Sequence, residues 1–361
     1  LLVPLFQRPY VWNEADQWEP LWLDLQRVAQ RMLDGGGAPV TPHFLGAVVV
    51  QGQTTQIGDL VANIVIDGQQ RLTTLQLLLD AIHLVAEKVG ATNAAKRLLS
   101  LTRNDESFCS HPEDMFKVWP TNHDRAAFNE VMAAVSPFSY DHLQHRNSRI
   151  IQAHAFFADA VETFVRERGE DDCTERVNAL ERAARDFLQI VVIQLDGEEN
   201  AQEIFETLNG RGSILTAADL IKNFIFQRLL EEGADVEKIY QSQWQEFESS
   251  FWEQQVWSGS LQHQLSSLFL NHWLNAHTED DFSVREVFTR FKRFALHDVK
   301  DSMIGLLGQI RRASSVYRQF IEASTSKLPS ETRLDDFAYR IGVLEADVMR
   351  VVVLWLRDPE R

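Results

Sequence analysis

The sequence predicts an α+β chain, with a small mixed sheet and a large, mostly α-helical remainder. Three observations point there. Ala47-Val48-Val49-Val50 and Ile64-Val65-Ile66 are β-branched runs of strand length, separated by a polar, glycine-containing stretch from Gln51 to Ala62. A third such run, Phe187 to Leu195, comes much later in the chain. Elsewhere apolar residues recur mainly at helical spacing.

Taken in order, Val3 to Arg8 reads as extended, and Trp12 to Arg31 as a helix with Trp18, Leu21, Trp22, Leu25 and Val28 on one stripe. Gly35-Gly36-Gly37 breaks that helix. Phe44 to Gln51 is a strand, the polar stretch a hairpin loop, and Ile64 to Ile66 the partner strand. Leu72, Leu75, Leu79, Ile82 and Val85 then form one helical face. Residues 92 to 186 are mostly helical, with breaks at Pro112, Pro120 and Pro137. The run at 187–195 is expected to return to the first sheet. Helices follow at Asn200 to Leu208 and Ala217 to Leu230, and from about 236 to 361 the chain reads as helical throughout.

Composition narrows the class. A chain of 361 residues with 45% hydrophobic and 24% charged residues is long enough for a sizeable core and ordinary for a globular protein. No apolar stretch approaches the ~18–20 residues that span a membrane. The two cysteines, Cys109 and Cys173, exclude a disulfide framework and a cysteine zinc site, and fit a reducing cytoplasm. A net charge of -17 repels phosphate globally, so any DNA contact needs a local basic patch. Leu1-Leu2-Val3-Pro4 has neither an initiator Met nor a basic start, so it is no signal peptide and the sequence is expected to begin inside a longer protein. Arg357-Asp358-Pro359-Glu360-Arg361 likewise reads as a truncation.

Three segments concentrate chemistry. Asp67-Gly68-Gln69-Gln70-Arg71 sits between a strand and a helix. It could be a helix cap, with Asp67 at the N-cap and Gln70 closing a capping box. It could equally be an anion site: exposed N–H groups of Gly68 to Gln70 and the helix dipole attract phosphate, Arg71 binds it bidentately, and Asp67 holds Mg²⁺. Gln7-Arg8-Pro9-Tyr10-Val11-Trp12 sets a polar pair in an apolar frame that points toward a cleft. In Phe205 to Asn223, Asn209-Gly210 makes a helix C-terminal turn and Thr216 with Asp219 a capping box, which leaves Arg211, Lys222 and Asn223 unexplained.

No Gly-x-x-x-x-Gly-Lys-Ser/Thr loop is present, so the chain is not a P-loop NTPase, and no Ser or Cys nucleophile elbow is found. His142, His145 and Asn147 cluster without the β-hairpin an HNH site needs, and His263, His272 and His277 lie among apolar residues. Candidate DNA-facing charge is Lys96-Arg97, Arg103, Lys292-Arg293 and Arg311-Arg312, with Phe6, Tyr10 and Trp12 as an apolar surface for modified DNA.

Together these segments resemble the N-terminal domain of GmrS-type and SspE-type bacterial restriction and anti-phage proteins. The markers are Pro4 to Trp12, His43-Phe44-Leu45-Gly46, Ile66 to Thr74, and Phe205 to Asn223, so the resemblance covers about residues 1 to 230. It implies a core related to the ParB–sulfiredoxin nucleotide-binding fold. On that basis 1–91 is the first part of the core, 92–186 a helical insertion, 187–232 the return strand and helices that complete the site, and 233–361 a helical domain. The resemblance implies a Mg²⁺-dependent nucleoside triphosphatase that senses modified double-stranded DNA and controls an HNH-type nuclease, on the same chain or in trans. Phosphorothioate linkages are favoured over glucosylated cytosine. Asp67, Gly68, Gln69, Gln70 and Arg71 would form the phosphate and metal site, and Gln7 and Arg8 would line it. Asn209 and Arg211 would approach it, with Asp219, Lys222 and Asn223 in support. Gln69 or Gln70 would orient the attacking water. The competing reading is a nucleotide-binding switch that dimerises or grips DNA without hydrolysis, with a homodimer as the further partner. No membrane is expected in either reading.

Overall fold

The computed structural model describes residues 1–4, 7–35, 41–52, 60–109, 114–135, 138–195, 216–258, 261–297, 302–325, 332–344, 346 and 348–359. The chain forms two compact units, Leu1–Leu208 and Asn209–Arg361.

The first unit is built on a three-stranded sheet of order β2-β1-β3, with β1 at His43–Gly52, β2 at Asn63–Asp67 and β3 at Leu188–Leu195. β1 pairs antiparallel with β2, Val50 opposite Val65, and parallel with β3, Val48 opposite Val192. The expected hairpin and the expected return strand are therefore both present. A parallel pair needs a long crossover, and the helices between β2 and β3 supply it. Leu2 extends the β2 side: its N–H donates to Asn63 O at 2.8 Å, and its carbonyl accepts from Val65 N at 2.8 Å.

α1, Glu19–Leu33, follows a wide helical turn at Glu14–Trp18 and has Pro20 in its first turn, where a missing N–H is harmless. Its Leu21, Trp22, Leu25 and Val28 stripe is buried as the periodicity predicts. α2, Gln69–Lys88, is the axis of the helical layer and packs against α3, Thr92–Thr102, and α5, Arg149–Arg166. α4, Asn122–Met132, and α6, Cys173–Arg182, complete it. Leu77, Leu78, Ala81 and Ile82 of α2 are fully buried with Phe157, Val161 and Leu180, each such side chain contributing about 1.5–3 kcal/mol for the larger ones. Polar groups buried here are paired. His154 bridges Asp80 at 3.1 Å and Tyr140 at 2.7 Å, and Arg176 donates to Phe164 O at 2.7 Å.

The second unit holds α7, Ala217–Glu231, then short turns, a hairpin of β4, Gln255–Ser258, with β5, Leu261–Gln264, and α8, Leu265–Thr278. α9, Val287–His297, α10, Met303–Thr325, α11, Arg333–Val343, and α12, Val348–Leu356, follow. The β4–β5 hairpin corrects the expectation of a wholly helical segment. Gln255-Val256-Trp257-Ser258 alternates polar with apolar residues ahead of a Ser-Gly-Ser turn sequence, which is strand and hairpin chemistry rather than helical spacing. Trp244, Trp252, Phe269 and Tyr317 form an aromatic core, with Trp252 and Phe269 centroids 5.2 Å apart. Among the described residues no helix is long and apolar enough to cross a membrane.

Candidate functional site

The site is assembled at the junction where β2 ends and α2 begins. Asp67 closes the strand, and Gly68 is the N-cap in a left-handed conformation, φ 95°. A side chain there is doubly excluded: a Cβ on Gly68 would collide with Cγ1 of Val48. No side chain caps α2, so the capping box of Asp67 and Gln70 does not form. The physical reason is that the left-handed glycine itself makes the turn, while the Gln70 amide is engaged elsewhere. The first N–H groups of α2 have no intrahelical carbonyl to bond.

Both glutamines hold the N-terminal strap. Gln70 Nε2 donates to Pro9 O at 3.0 Å and its Oε1 accepts from Val11 N at 2.8 Å, so both ends of this buried amide are committed. Gln69 Nε2 donates to Arg8 O at 3.1 Å. Gln7, also buried, reaches the other way and donates to Val65 O at 2.9 Å and Ile66 O at 3.2 Å. Residues 7–11 are thus tied to β2 and α2 by four amide bonds, which brings Gln7, Arg8, Gln69 and Gln70 together. Tyr10 anchors the strap from below. Its buried hydroxyl lies 2.6 Å from Thr74 Oγ1 and accepts from Trp18 Nε1 at 2.9 Å, while its N–H donates to Asp124 Oδ2 at 2.8 Å. Burial pushes the Tyr10 phenol well above its ordinary pKa. Tyr10 is therefore a packed, hydrogen-bonded anchor.

Arg71 is half-buried. Its Nη1 donates to Ala47 O at 2.6 Å, and its Cζ and Nη2 stand 3.1 Å from the place a Cβ on Gly46 would take. Gly46 has φ 100° at the irregularity between Phe44 and Ala47 where β1 pairs with β3. Burial lowers the guanidinium pKa and the Asp67 charge raises it; an arginine remains charged in any such setting. Arg71 also lines a cleft of about 190 Å³ with Trp12, Asp24, His43 and Phe44, across which His43 Nε2 meets Asp24 Oδ2 at 3.1 Å. The residues His43 to Gly46 are thus part of the site, a role the sequence marks only by Gly46 in the middle of a strand.

Among the described residues the Asp67 carboxylate takes no hydrogen bond or ion pair, and no group of three His, Cys, Asp or Glu could hold a metal unaided. A lone carboxylate fits Mg²⁺, which completes its octahedron with phosphate oxygens and water.

The remaining sequence candidates have these places. Phe6, Asn209 and Arg211 lie outside the described residues, as does the helix expected at Asn200 to Leu208. In the second unit Thr216 and Asp219 form the expected capping box, Asp219 N to Thr216 Oγ1 at 3.1 Å and Thr216 N to Asp219 Oδ2 at 3.1 Å. Buried Lys222 pairs with Glu248 at 2.8 Å, and Asn223 is buried with its Oδ1 lacking a partner among the described residues. Lys96 is exposed on α3. Arg97 is held by Glu181 through two bonds of 2.9 and 2.8 Å, and Arg103 donates to Met132 O and lies 5.6 Å from the Phe116 ring centre. In the cluster of His142, His145 and Asn147, His145 bonds Glu130 at 2.8 Å.

The model of the GmrSD restriction endonuclease N-terminal domain matches residues 1–226. That match covers more than half of the chain, and the chain belongs to this restriction-endonuclease family. No curated protein matches it.

Proposed function

We propose that the first unit is a Mg²⁺-dependent nucleoside triphosphatase whose turnover is gated by modified double-stranded DNA, phosphorothioate DNA first, and which controls an HNH-type nuclease in cis or in trans within a restriction system. The observation that carries this reading is the β2–α2 junction: a left-handed glycine cap, helix N–H groups that no side chain caps, and Arg71 and Asp67 flanking them, in a chain whose family is a restriction endonuclease. A ParB-like core is the fold this reading assumes.

Each residue has a task. The N–H groups at the start of α2 and the Arg71 guanidinium receive phosphate oxygens. Asp67 would hold Mg²⁺, which would neutralise charge on the phosphates. Gln70 has no atom left for a water, because the strap uses both ends of its amide. Gln69 uses only Nε2 among the described residues, so its Oε1 is the group that orients the attacking water. Phosphoanhydride hydrolysis asks for such positioning and charge neutralisation more than for covalent chemistry.

Phosphate release from ATP, GTP, CTP and UTP with Mg²⁺ tests this, with phosphorothioate-modified, glucosylated and plain DNA as effectors. Turnover raised by phosphorothioate DNA and abolished in Asp67→Asn and Arg71→Ala is expected. Nucleotide binding without release under every condition would replace hydrolysis by a binding switch.

A further inference from the structure

The second unit contains a cavity outside the site described above. It lies where α8, α10 and α12 pack on one another, with a volume of about 180 Å³. Trp273, Val316 and Leu354 give it apolar walls, and the exposed Arg312 and Arg357 stand at it with Gln309. The acid at this cavity, Asp358, meets His277 Nε2 at 3.4 Å, and His277 Nδ1 lies 2.9 Å from Trp273 O. Two guanidinium groups therefore face one carboxylate that a histidine already engages, in a chain of net charge -17 where such an excess of positive charge is local. Trp273 is fully buried, and its indole N–H lacks a partner among the described residues. A buried donor without a partner costs about 1–3 kcal/mol, a cost that a bound acceptor removes.

Size and chemistry together select a ligand class. A cavity of about 150 Å³ holds a benzene ring, so this one takes a single ring with a small substituent. Guanidinium groups select planar oxyanions, carboxylate or phosphate. We propose that the cavity binds a small organic anion consisting of one planar ring carrying a carboxylate or phosphate. The ring lies against Trp273, Val316 and Leu354, and the anionic group against Arg312 and Arg357. The site is independent of the nucleotide reading of the first unit.

Calorimetric titration of the full chain with benzoate, phenyl phosphate, benzyl alcohol and inorganic phosphate tests it. One-to-one saturation by benzoate or phenyl phosphate is expected, with whichever binds tighter naming the oxyanion. Benzyl alcohol and inorganic phosphate should bind at least about tenfold more weakly, since each lacks half of the recognised chemistry. Arg312→Gln with Arg357→Gln removes only exposed side chains and should weaken the ring anion about tenfold or more at an unchanged melting temperature. Ala313→Leu fills the cavity and should abolish binding. The proposal fails if neither ring anion saturates, if benzyl alcohol binds as tightly, or if both variants bind like the parent.

Discussion

The guanidinium of Arg71 occupies the space a side chain at Gly46 would take, with its Cζ 3.1 Å from the Cβ position. A break in the pairing of β1 with β3 thereby becomes the seat of the charged group of the α2 junction. Gly46→Ala should cost about 1–3 kcal/mol from its positive φ and push Arg71 off Ala47 O. On the proposed function, nucleotide turnover should collapse while circular dichroism still reports a folded chain. Full turnover in a folded Gly46→Ala protein would show that the position of Arg71 is irrelevant to the reaction.

Gln70 joins the strap to α2 through both ends of one amide. Gln70→Ala leaves Val11 N–H and Pro9 O without that partner and should lower stability by about 1–3 kcal/mol. The local readout is hydrogen exchange: the Val11 amide should lose protection, while amides in the middle of α2 keep theirs. Gln70→Glu keeps the acceptor for Val11 and loses the donor to Pro9, so it should fall between the two. An unchanged Val11 exchange rate in the alanine variant would mean that the strap is held by Tyr10 alone.

Much of this was legible in the sequence, and the exceptions have physical causes. The strands announced themselves by β-branched runs, and the Thr216–Asp219 box by its spacing. The same spacing logic failed at Asp67 and Gln70, because a left-handed glycine displaces the cap by one residue and the partners of Gln70 lie some sixty positions away, at Pro9 and Val11. Spacing rules see only local partners. His43 to Gly46 stood out as a motif, yet its contact with Arg71 depends on a kink in β1 that no periodicity encodes. Arg97 and Arg103 read as surface charge, but Glu181 and the Met132 carbonyl engage them across the fold.

Asp124 couples the strap to α4, its Oδ2 accepting from Tyr10 N and from Thr121 Oγ1, each at 2.8 Å. Burial raises its pKa above the ordinary 3.8, more than these hydrogen bonds lower it. The fold thus favours the protonated acid and binds more proton than the unfolded chain over that interval, so this group's contribution falls as pH rises from about 3.8 through the raised value. Asp124→Asn keeps an acceptor and removes the charge. Its melting temperature relative to the parent should therefore rise between pH 3.5 and 7, ~3.5 and ~7 bracketing the carboxylate range, whereas Asp124→Ala should be destabilised by about 1–3 kcal/mol throughout. A constant difference between Asn variant and parent across that range would show that Asp124 titrates normally.

His272 gives the second unit the opposite pH response. It is buried in α8 with Nδ1 3.0 Å from the Tyr317 hydroxyl, and burial, aided by the nearby Arg350 charge, pushes its pKa down to about 3 from 6.5. The unfolded chain takes up a proton near 6.5 that the folded chain refuses, so the contribution is fully present above that pH and erodes as pH falls toward 3. At pH ~5 the loss should be about 2 kcal/mol, from a gap of roughly one and a half units at 1.36 kcal/mol each. Urea melts of the parent at pH ~7 and ~5 should therefore differ by this amount beyond the shift seen in His272→Gln, which keeps a polar group beside Tyr317 and cannot titrate. Equal shifts in parent and variant would mean that the buried imidazole accepts its proton within the fold.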